Sequence, residues 1–233
     1  MNLFLADSVD GKQGYLGPEE SHHASRVLRM KVGDFILVTE GRGEIFQAVI
    51  KDAHKKQLLF DVKSLYRKED RKRLLHIAIA PTKSNDRFEL FLEKATELGV
   101  ARITPLICQN SERKYYKTGR GKKVISAAAK QSLSCWWPQL EEPVSFQDFL
   151  PQQADTDYAK YIAYCGDIER KLVLPELGHQ NQVMMLIGPE GDFSRSEIEK
   201  AQQKGFTAVS LGSKRLRTET AGMAVSLAFN IHS

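Results

Sequence analysis

Cysteine is scarce in this chain: three in 233 residues. Cys108, Cys135 and Cys165 are an odd number, and no two of them have the Cys-x-x-Cys spacing. That pattern argues against a disulfide framework and against a structural zinc site, and it leads us to expect a reducing, cytoplasmic setting. Long apolar runs are missing as well. None approaches the roughly 18 residues that a membrane span needs, so no membrane partner is expected. The opening stretch "MNLFLADSVDGK" lacks a basic segment followed by a long apolar one, and we expect no secretory signal from it. His, Asp and Glu nowhere gather at metal-ligand spacing. The common nucleotide-binding signatures are absent too. No Gly-Lys-Ser/Thr precedes a helix, as a P-loop requires. The "GRG" at Gly41–Gly43 has no third glycine and no helix behind it, so it reads as a turn.

What remains is a globular composition, with 42% hydrophobic and 27% charged residues, long enough for one large domain or two unequal ones. The net charge of +5 and the pI near 9.0 lean towards a polyanionic partner. The charge is concentrated. The stretch "SERKYYKTGRGKKVISAAAK" at 111–130 carries Arg113, Lys114, Lys117, Arg120, Lys122, Lys123 and Lys130 against the single acid Glu112. Tyr115 and Tyr116 lie within it, offering stacking faces among phosphate-binding cations. A solvated loop leading into a helix accounts for the same residues; the density of charge favours phosphate contact.

Hydrophobic periodicity divides the chain. Residues 1–70 read as short strands and turns, a small β-barrel or sandwich, with Glu40-Gly41-Arg42-Gly43 as a hairpin turn and Asp52-Ala53-His54 as a break. Ahead of these strands a short helix is expected, with Arg26 and Arg29 on one face. The charged segment "YRKEDRKR" (66–73) reads as a linker. From 74 onward "LLHIAIA", "ARITPLI", "YAKYIAYC", "VMMLIG" and "TAVSLG" are expected as strands. Between and after them come helices: "NDRFELFLEKATELG", stopped by Gly99, and others near 122–134, 194–204 and 218–230. Alternating strands and helices predict an α/β domain over 74–233: a parallel sheet with helices on both faces.

Two successive strands of that domain end in glycine, at Ile187-Gly188 and Leu211-Gly212. The loops that follow are "GPEGDFS" and "GSKRLRTET". Ligands of parallel sheets gather at the carboxyl ends of the strands. Glycine allows close approach of the backbone, and Pro189 stiffens the first loop. Either loop alone reads as an ordinary turn. Together, one with Glu190 and the other with Lys214, Arg215, Arg217 and Glu219, they favour a site over two ordinary turns. A Rossmann-type site would need its glycines after the first strand, where this chain has "PTKSN".

"LIGPEGDFSRSEI" followed by "LGSKRLRTETAGMA" resembles the signature of the SPOUT, or trefoil-knot, RNA methyltransferases. More narrowly it resembles the bacterial family that methylates N3 of a uridine in 16S ribosomal RNA. "HHASRVLRMKVGD" and "KATELGVARITPL" resemble further motifs of that family, so the resemblance covers most of the chain. The sequence departs from the pattern at Asp192, where a second glycine is more usual, and in the helix holding Gln131, which lacks a Glu-Gln pair. The resemblance implies a knotted C-terminal domain behind a PUA-like N-terminal β-barrel, a homodimer, and S-adenosylmethionine as cofactor. It places the cofactor against Leu186, Ile187, Gly188, Pro189, Glu190, Gly191, Leu211, Gly212, Leu216, Arg217 and Thr220. It also implies contacts to 16S RNA, in the small ribosomal subunit, through His23, Arg26 and Arg29, to which the basic stretch adds Arg113, Lys122 and Lys123 as candidate phosphate contacts.

The chemistry follows from the substrate. A uridine N3 carries a weakly acidic imide proton that must leave as the methyl arrives, so the site needs a base or cations that stabilise charge on O2, N3 and O4. Arg217 is the candidate for charge stabilisation, and Glu219 or Glu190 for orienting or accepting the proton. Thr218 as helix N-cap, Glu219 as first-turn acid and Arg217 as an ion-pair partner are the structural alternatives. His22 and His23 read as structural or RNA-facing, and Trp136-Trp137 as core or dimer contact. Two other functions use the same residues: a non-catalytic RNA-binding assembly factor on a knot scaffold, and a methyltransferase of this fold acting on another RNA position. Intact Gly188, Gly212, Arg217 and Glu219 favour catalysis over the first. The β domain with "HHASRVLRMKVGD" favours uridine N3 over the second.

Overall fold

The computed structural model describes residues 1–153, 156–166 and 171–231. Its contacts divide the chain into two compact units, one of residues 1–71 with 126–137, the other of residues 72–125 with 138–233. A boundary drawn in chain order leaves out the return of 126–137 to the first unit. Cys135 explains it: it is fully buried beside Leu3, Leu37 and Ile45, and its carbonyl accepts the Gly43 N–H at 2.8 Å. The Trp136 indole donates to the Glu69 carbonyl, so Trp136 packs within this unit.

The first unit is one mixed sheet of β1 (Leu3–Leu5), β2 (Ser8–Val9), β3 (Gln13–Leu16), β4 (Phe35–Thr39), β5 (Glu44–His54) and β6 (Gln57–Lys68), in the order β1-β4-β5-β6-β3-β2. Phe4 from one end of that order and Leu16 from the strand next to the other end share a core with Ile36, Val38, Ile50 and Phe60. The sheet therefore curls around a common centre. Asp52–His54 does not break β5. A register shift between Ile50 and Asp52 absorbs the irregularity, and the strand pairs on to His54. Likewise β6 runs to Lys68, which pairs with Glu44, so the connecting segment begins at Glu69. The short helix α1 (Pro18–His22) has proline at its start and Glu19 and Glu20 in its first turn, as a helix N-terminus favours. Its buried Ser21 hydroxyl donates to the Leu16 carbonyl and accepts the Leu58 N–H. A π-turn over His23–Val27 follows. Arg29 lies beyond it at φ 54, so the expected shared helical face with Arg26 does not form.

The second unit holds β7 (Leu74–Ile79), β8 (Arg102–Ile107), β9 (Gln139–Leu140), β10 (Val144–Ser145), β11 (Ala159–Ala163), β12 (Lys171–Leu172), β13 (Gln182–Ile187) and β14 (Thr207–Ser210). Their order is β10-β8-β7-β13-β11-β14-β12, with β9 beside β8, and each of these pairings is parallel. Late strands thus enter the middle of the sheet, β13 lying between β7 and β11. Alternation places Leu75, Ile77, Ile79, Val183, Met185 and Ile187 in one core and Ala78, Met184 and Leu186 in another. The first core is covered by α2 (Asn85–Glu97), α5 (Leu174–Leu177) and α7 (Thr218–Asn230). The second is covered by α4 (Phe146–Phe149) and α6 (Arg195–Gln203). Burial on both faces is why these strands read as continuous apolar runs. Helix α3 (Thr118–Gln131) leads out of this unit. No helix among the described residues is long and apolar enough to cross a membrane.

His76, in β7, is buried against Phe149 and Tyr158 with its Nε2 2.8 Å from the Thr104 hydroxyl. Burial, helped by Arg102 alongside, pushes its imidazole down to about 3. It stays neutral in the fold while an unfolded histidine takes up a proton below about pH 6.5. Its stabilisation is therefore complete above pH 6.5 and is lost as the pH falls towards 3, at up to ~1.4 kcal/mol per pH unit. A His76→Leu variant is expected to lose less stability between pH 7 and pH 4.5 than the parent protein. Denaturant titrations at both pH values measure this, and equal losses in the two proteins would show that His76 does not govern acid sensitivity.

Candidate active site

Strands β11, β13 and β14 are neighbours and parallel, so their carboxyl ends open onto one place. A pocket of about 290 Å³ lies there, close to the lower end of the ~300–1,000 Å³ usual for small-molecule sites. Ala163–Cys165 line it after β11, Ile187–Glu190 and Asp192 after β13, and Ser210–Gly212 after β14. Lys214–Thr218 and Ala221 close it from the start of α7. The Thr218 hydroxyl donates to the Gly188 carbonyl at 3.0 Å, tying the start of α7 to the β13 loop. An Arg215 Nη2 bond to the Glu190 carbonyl, at 3.3 Å, crosses the same gap.

Eight of the predicted cofactor residues line this pocket: Ile187, Gly188, Pro189, Glu190, Leu211, Gly212, Leu216 and Arg217. Three do not. Leu186 is fully buried in the core, on the opposite face of its strand from Ile187. Thr220 lies outside the lining, and Gly191 faces Asn110, whose Cβ would stand 3.2 Å from an added side chain. The glycines also differ from one another. The space a side chain would take at Gly188 is filled by the Phe193 ring at 3.0 Å, so that glycine serves the turn itself. At Gly212 nothing lies within 4 Å. Tyr164, Cys165, Ser210 and Asp192 complete the lining. Tyr164 and Cys165 carry no local signal, because only the parallel pairing of β11 with β13 and β14 brings them there.

The acids separate clearly. Glu190 lines the pocket; its Oε1 accepts the Lys83 N–H at 3.0 Å, and its Oε2 is buried with no hydrogen-bond partner among the described residues. Glu219 is buried outside the lining, with Arg87 Nε 4.0 Å away. Arg217 is the N-cap residue of α7, the place expected for Thr218, and its side chain makes no cap bond. Its exposed guanidinium has no hydrogen bond or ion pair to any described residue. The other loop is braced by a capping box in which Ser194 and Glu197 exchange bonds. The same buried Glu197 accepts the Gln109 N–H at 2.9 Å.

The predicted RNA residues fare unevenly. Arg26 and Arg29 are exposed. Arg26 lines a groove of about 370 Å³ with Ser25, Met30, Ala53, His54 and Lys55. His23 is half-buried with its ring edge-on to Phe4, a packing role. Arg113 is engaged by the Asn85 side chain and the Lys83 carbonyl, and Lys122 by Glu142. Lys123 is exposed on α3. Only one of the two tyrosines offers a free face. Tyr115 is 66% exposed, whereas Tyr116 is 6% exposed and packs edge-on to Phe88 at 4.8 Å.

A parallel α/β sheet with a loop-built pocket at its carboxyl edge, preceded in the chain by a small β domain, is the arrangement of an RNA methyltransferase. Residues 69–230 match the RNA methyltransferase domain family and residues 16–63 the RNA methyltransferase PUA domain family. The ribosomal RNA small subunit methyltransferase E of Rickettsia conorii is 30% identical over 87% of this chain and 82% of its own length. That of Synechocystis sp. is 31% identical over 86% and 67%. Among solved structures, a probable rRNA-methyltransferase from Porphyromonas gingivalis is 37% identical with a TM-score of 0.85, covering 100% of this chain and 98% of that one. A Legionella pneumophila protein solved in complex with the bound cofactor SAM is 29% identical, with a TM-score of 0.79 and coverage of 97% and 95%. The chain belongs to the ribosomal RNA small subunit methyltransferase E family of RNA methyltransferases.

Proposed function

We propose that this protein transfers a methyl group from S-adenosylmethionine to N3 of a uridine in 16S ribosomal RNA. The observation that carries the reading is the pocket at the ends of β11, β13 and β14, with Arg217, whose guanidinium has no partner among the described residues, at its rim. The residues suit the cofactor. Gly212 leaves open the space that a side chain would fill, and Ile187, Leu211 and Leu216 supply apolar surface for adenine and ribose beside the Gly188 backbone. When bound, the cofactor supplies an electrophilic methyl on a sulfonium, which needs no metal.

The chain's own part is to handle the imide proton and the charge. The Arg217 guanidinium, with no partner among the described residues, would face the developing negative charge on the uracil oxygens. Of the two candidate acids, Glu190 is the better proton acceptor: it lines the pocket, its Oε1 is pinned by Lys83, and its Oε2 is unclaimed. Glu219 is better suited to holding the start of α7 near Arg87. The small ribosomal subunit as the setting of the substrate, a cytoplasmic location and assembly as a homodimer belong to the same reading. Exposed Leu90 on α2 and Leu227 and Ile231 at the end of α7 are apolar surface for a second copy to cover. Calorimetry with S-adenosylmethionine, followed by mass spectrometry of 16S RNA from treated small subunits, tests the proposal. No binding at millimolar cofactor would sink it.

The RNA surface of the first unit is read at the groove where Arg26 stands with His54 and Lys55. Reversing the charge of Arg26 and Arg29 together is expected to weaken RNA binding and keep cofactor affinity. Each phosphate that is no longer neutralised lowers the slope of log affinity against log salt by about one unit. An unchanged slope would place the RNA elsewhere.

A further inference from the structure

Asp192 adopts φ 61, in the left-handed region that favours glycine, and of side-chain-bearing residues only Asn and Asp enter it readily. Its N–H closes a turn on the Pro189 carbonyl at 2.9 Å. The carboxylate does more than the turn requires. Its Oδ1 accepts the Phe193 N–H at 2.7 Å, and its Oδ2 accepts the Cys165 N–H at 2.9 Å. Cys165 lies just after β11, so this one side chain joins the loop of β13 to the end of the neighbouring strand. Both Asp192 and Cys165 line the pocket. The loop is held from its other side by Asn110, whose amide donates to the Gly191 and Asp192 carbonyls at 3.3 and 3.2 Å. With each oxygen taken by a backbone N–H, the carboxylate is a tie and not an acid–base group.

We propose that Asp192 is a positioning residue for cofactor binding. It holds the Cys165 edge of the pocket against the Gly188–Glu190 edge and accepts a conformation better suited to glycine in order to do so. The proposal rests on the reading of this pocket as the S-adenosylmethionine site. A glycine at 192 satisfies the backbone but releases Cys165; an asparagine tolerates the same φ and keeps one side-chain oxygen for the Cys165 N–H.

Calorimetry with S-adenosylmethionine, melting curves without ligand, and amide exchange of the peptide containing Cys165 test it on the parent protein, Asp192→Gly and Asp192→Asn. Asp192→Gly is expected to bind about tenfold more weakly or worse, because the rim must be ordered during binding. It should melt within about 4 °C of the parent, the missing bond being offset by relief of the backbone. Its Cys165 amide should exchange faster in the absence of ligand. Asp192→Asn should bind within about threefold of the parent, under half a tenfold step in free energy. Unchanged affinity and exchange in Asp192→Gly would overturn the proposal. So would an asparagine variant as weak as the glycine one whose Cys165 amide is protected as in the parent, since charge and not the tie would then matter. So would a glycine variant that melts far below the parent, since its defect would be one of folding. A parent protein that binds no S-adenosylmethionine, with Cys165 exchange still dependent on Asp192, would overturn the cofactor reading while leaving the tie itself in place.

Discussion

Gly212→Val is expected to leave a folded protein that no longer binds S-adenosylmethionine, with affinity reduced at least ~100-fold, or about 2.7 kcal/mol. Two features of the position combine. Gly212 has φ 139, which β-branched residues do not adopt without strain. An added Cβ meets nothing within 4 Å, and Gly212 lines the pocket, so no protein atom keeps a larger side chain out of the ligand's space. Valine therefore presses on the loop and fills the ligand's space together. The loop is exposed, so the cost to the fold is limited to the backbone strain, ~1–3 kcal/mol, or several degrees of melting temperature. Gly212→Ala separates the two effects, since it carries most of the backbone strain with less of the bulk. Its affinity should fall between those of glycine and valine. Thermal shift with and without cofactor measures both quantities in one experiment. Normal binding by the valine variant would show that the β14 loop does not form the cofactor site.

The α/β domain was legible in the sequence because strands buried on both faces are continuous apolar runs, and α2 carries Phe88, Phe91, Leu92 and Ala95 on one face with Gly99 at φ 76 to end it. The two glycine loops were legible because strand-end glycines before charged residues are local features. The share of the pocket that comes from β11 was not. Tyr164 and Cys165 enter it through a strand order, β13-β11-β14, that no local pattern encodes. The return of 126–137 to the first unit was hidden for the same reason: Cys135 and Trp136 meet partners more than sixty residues away in sequence. Helix α1 misled in another way. Its sequence is helical enough to read through Arg29, but a π-turn and a left-handed residue end it early. Pairwise partners also altered roles. Tyr116 is covered by Phe88 and offers no stacking face, and Glu219 is buried outside the pocket that Glu190 lines.

Arg217→Lys is expected to bind cofactor and RNA nearly as the parent does and to transfer methyl groups about a hundredfold more slowly, the scale for removing one preorganised donor. The substitution keeps a positive charge, so long-range attraction to RNA survives. It loses the planar fork that can reach two uracil oxygens at once. Because the Arg217 guanidinium makes no hydrogen bond or ion pair to a described residue, little of the fold depends on the side chain, and the melting temperature should hold. The loss should fall on kcat with KM little changed, the pattern of an interaction made in the transition state alone. Raising the pH should recover part of the rate, since more of the imide is then already ionised. Glu190→Gln offers the contrast. If its Oε2 takes the proton, that variant too is slow and is rescued by higher pH, although Arg217 is intact. Glu219→Gln should instead lower the melting temperature, because a buried acid near Arg87 at the start of α7 is replaced. Single-turnover methylation of small subunits across pH, taken with melting curves, separates the Glu219 variant from the other two. A parental rate for Arg217→Lys at every pH would remove the guanidinium from the mechanism and leave Lys214, the other rim cation without a protein partner among the described residues, as the charge to test next.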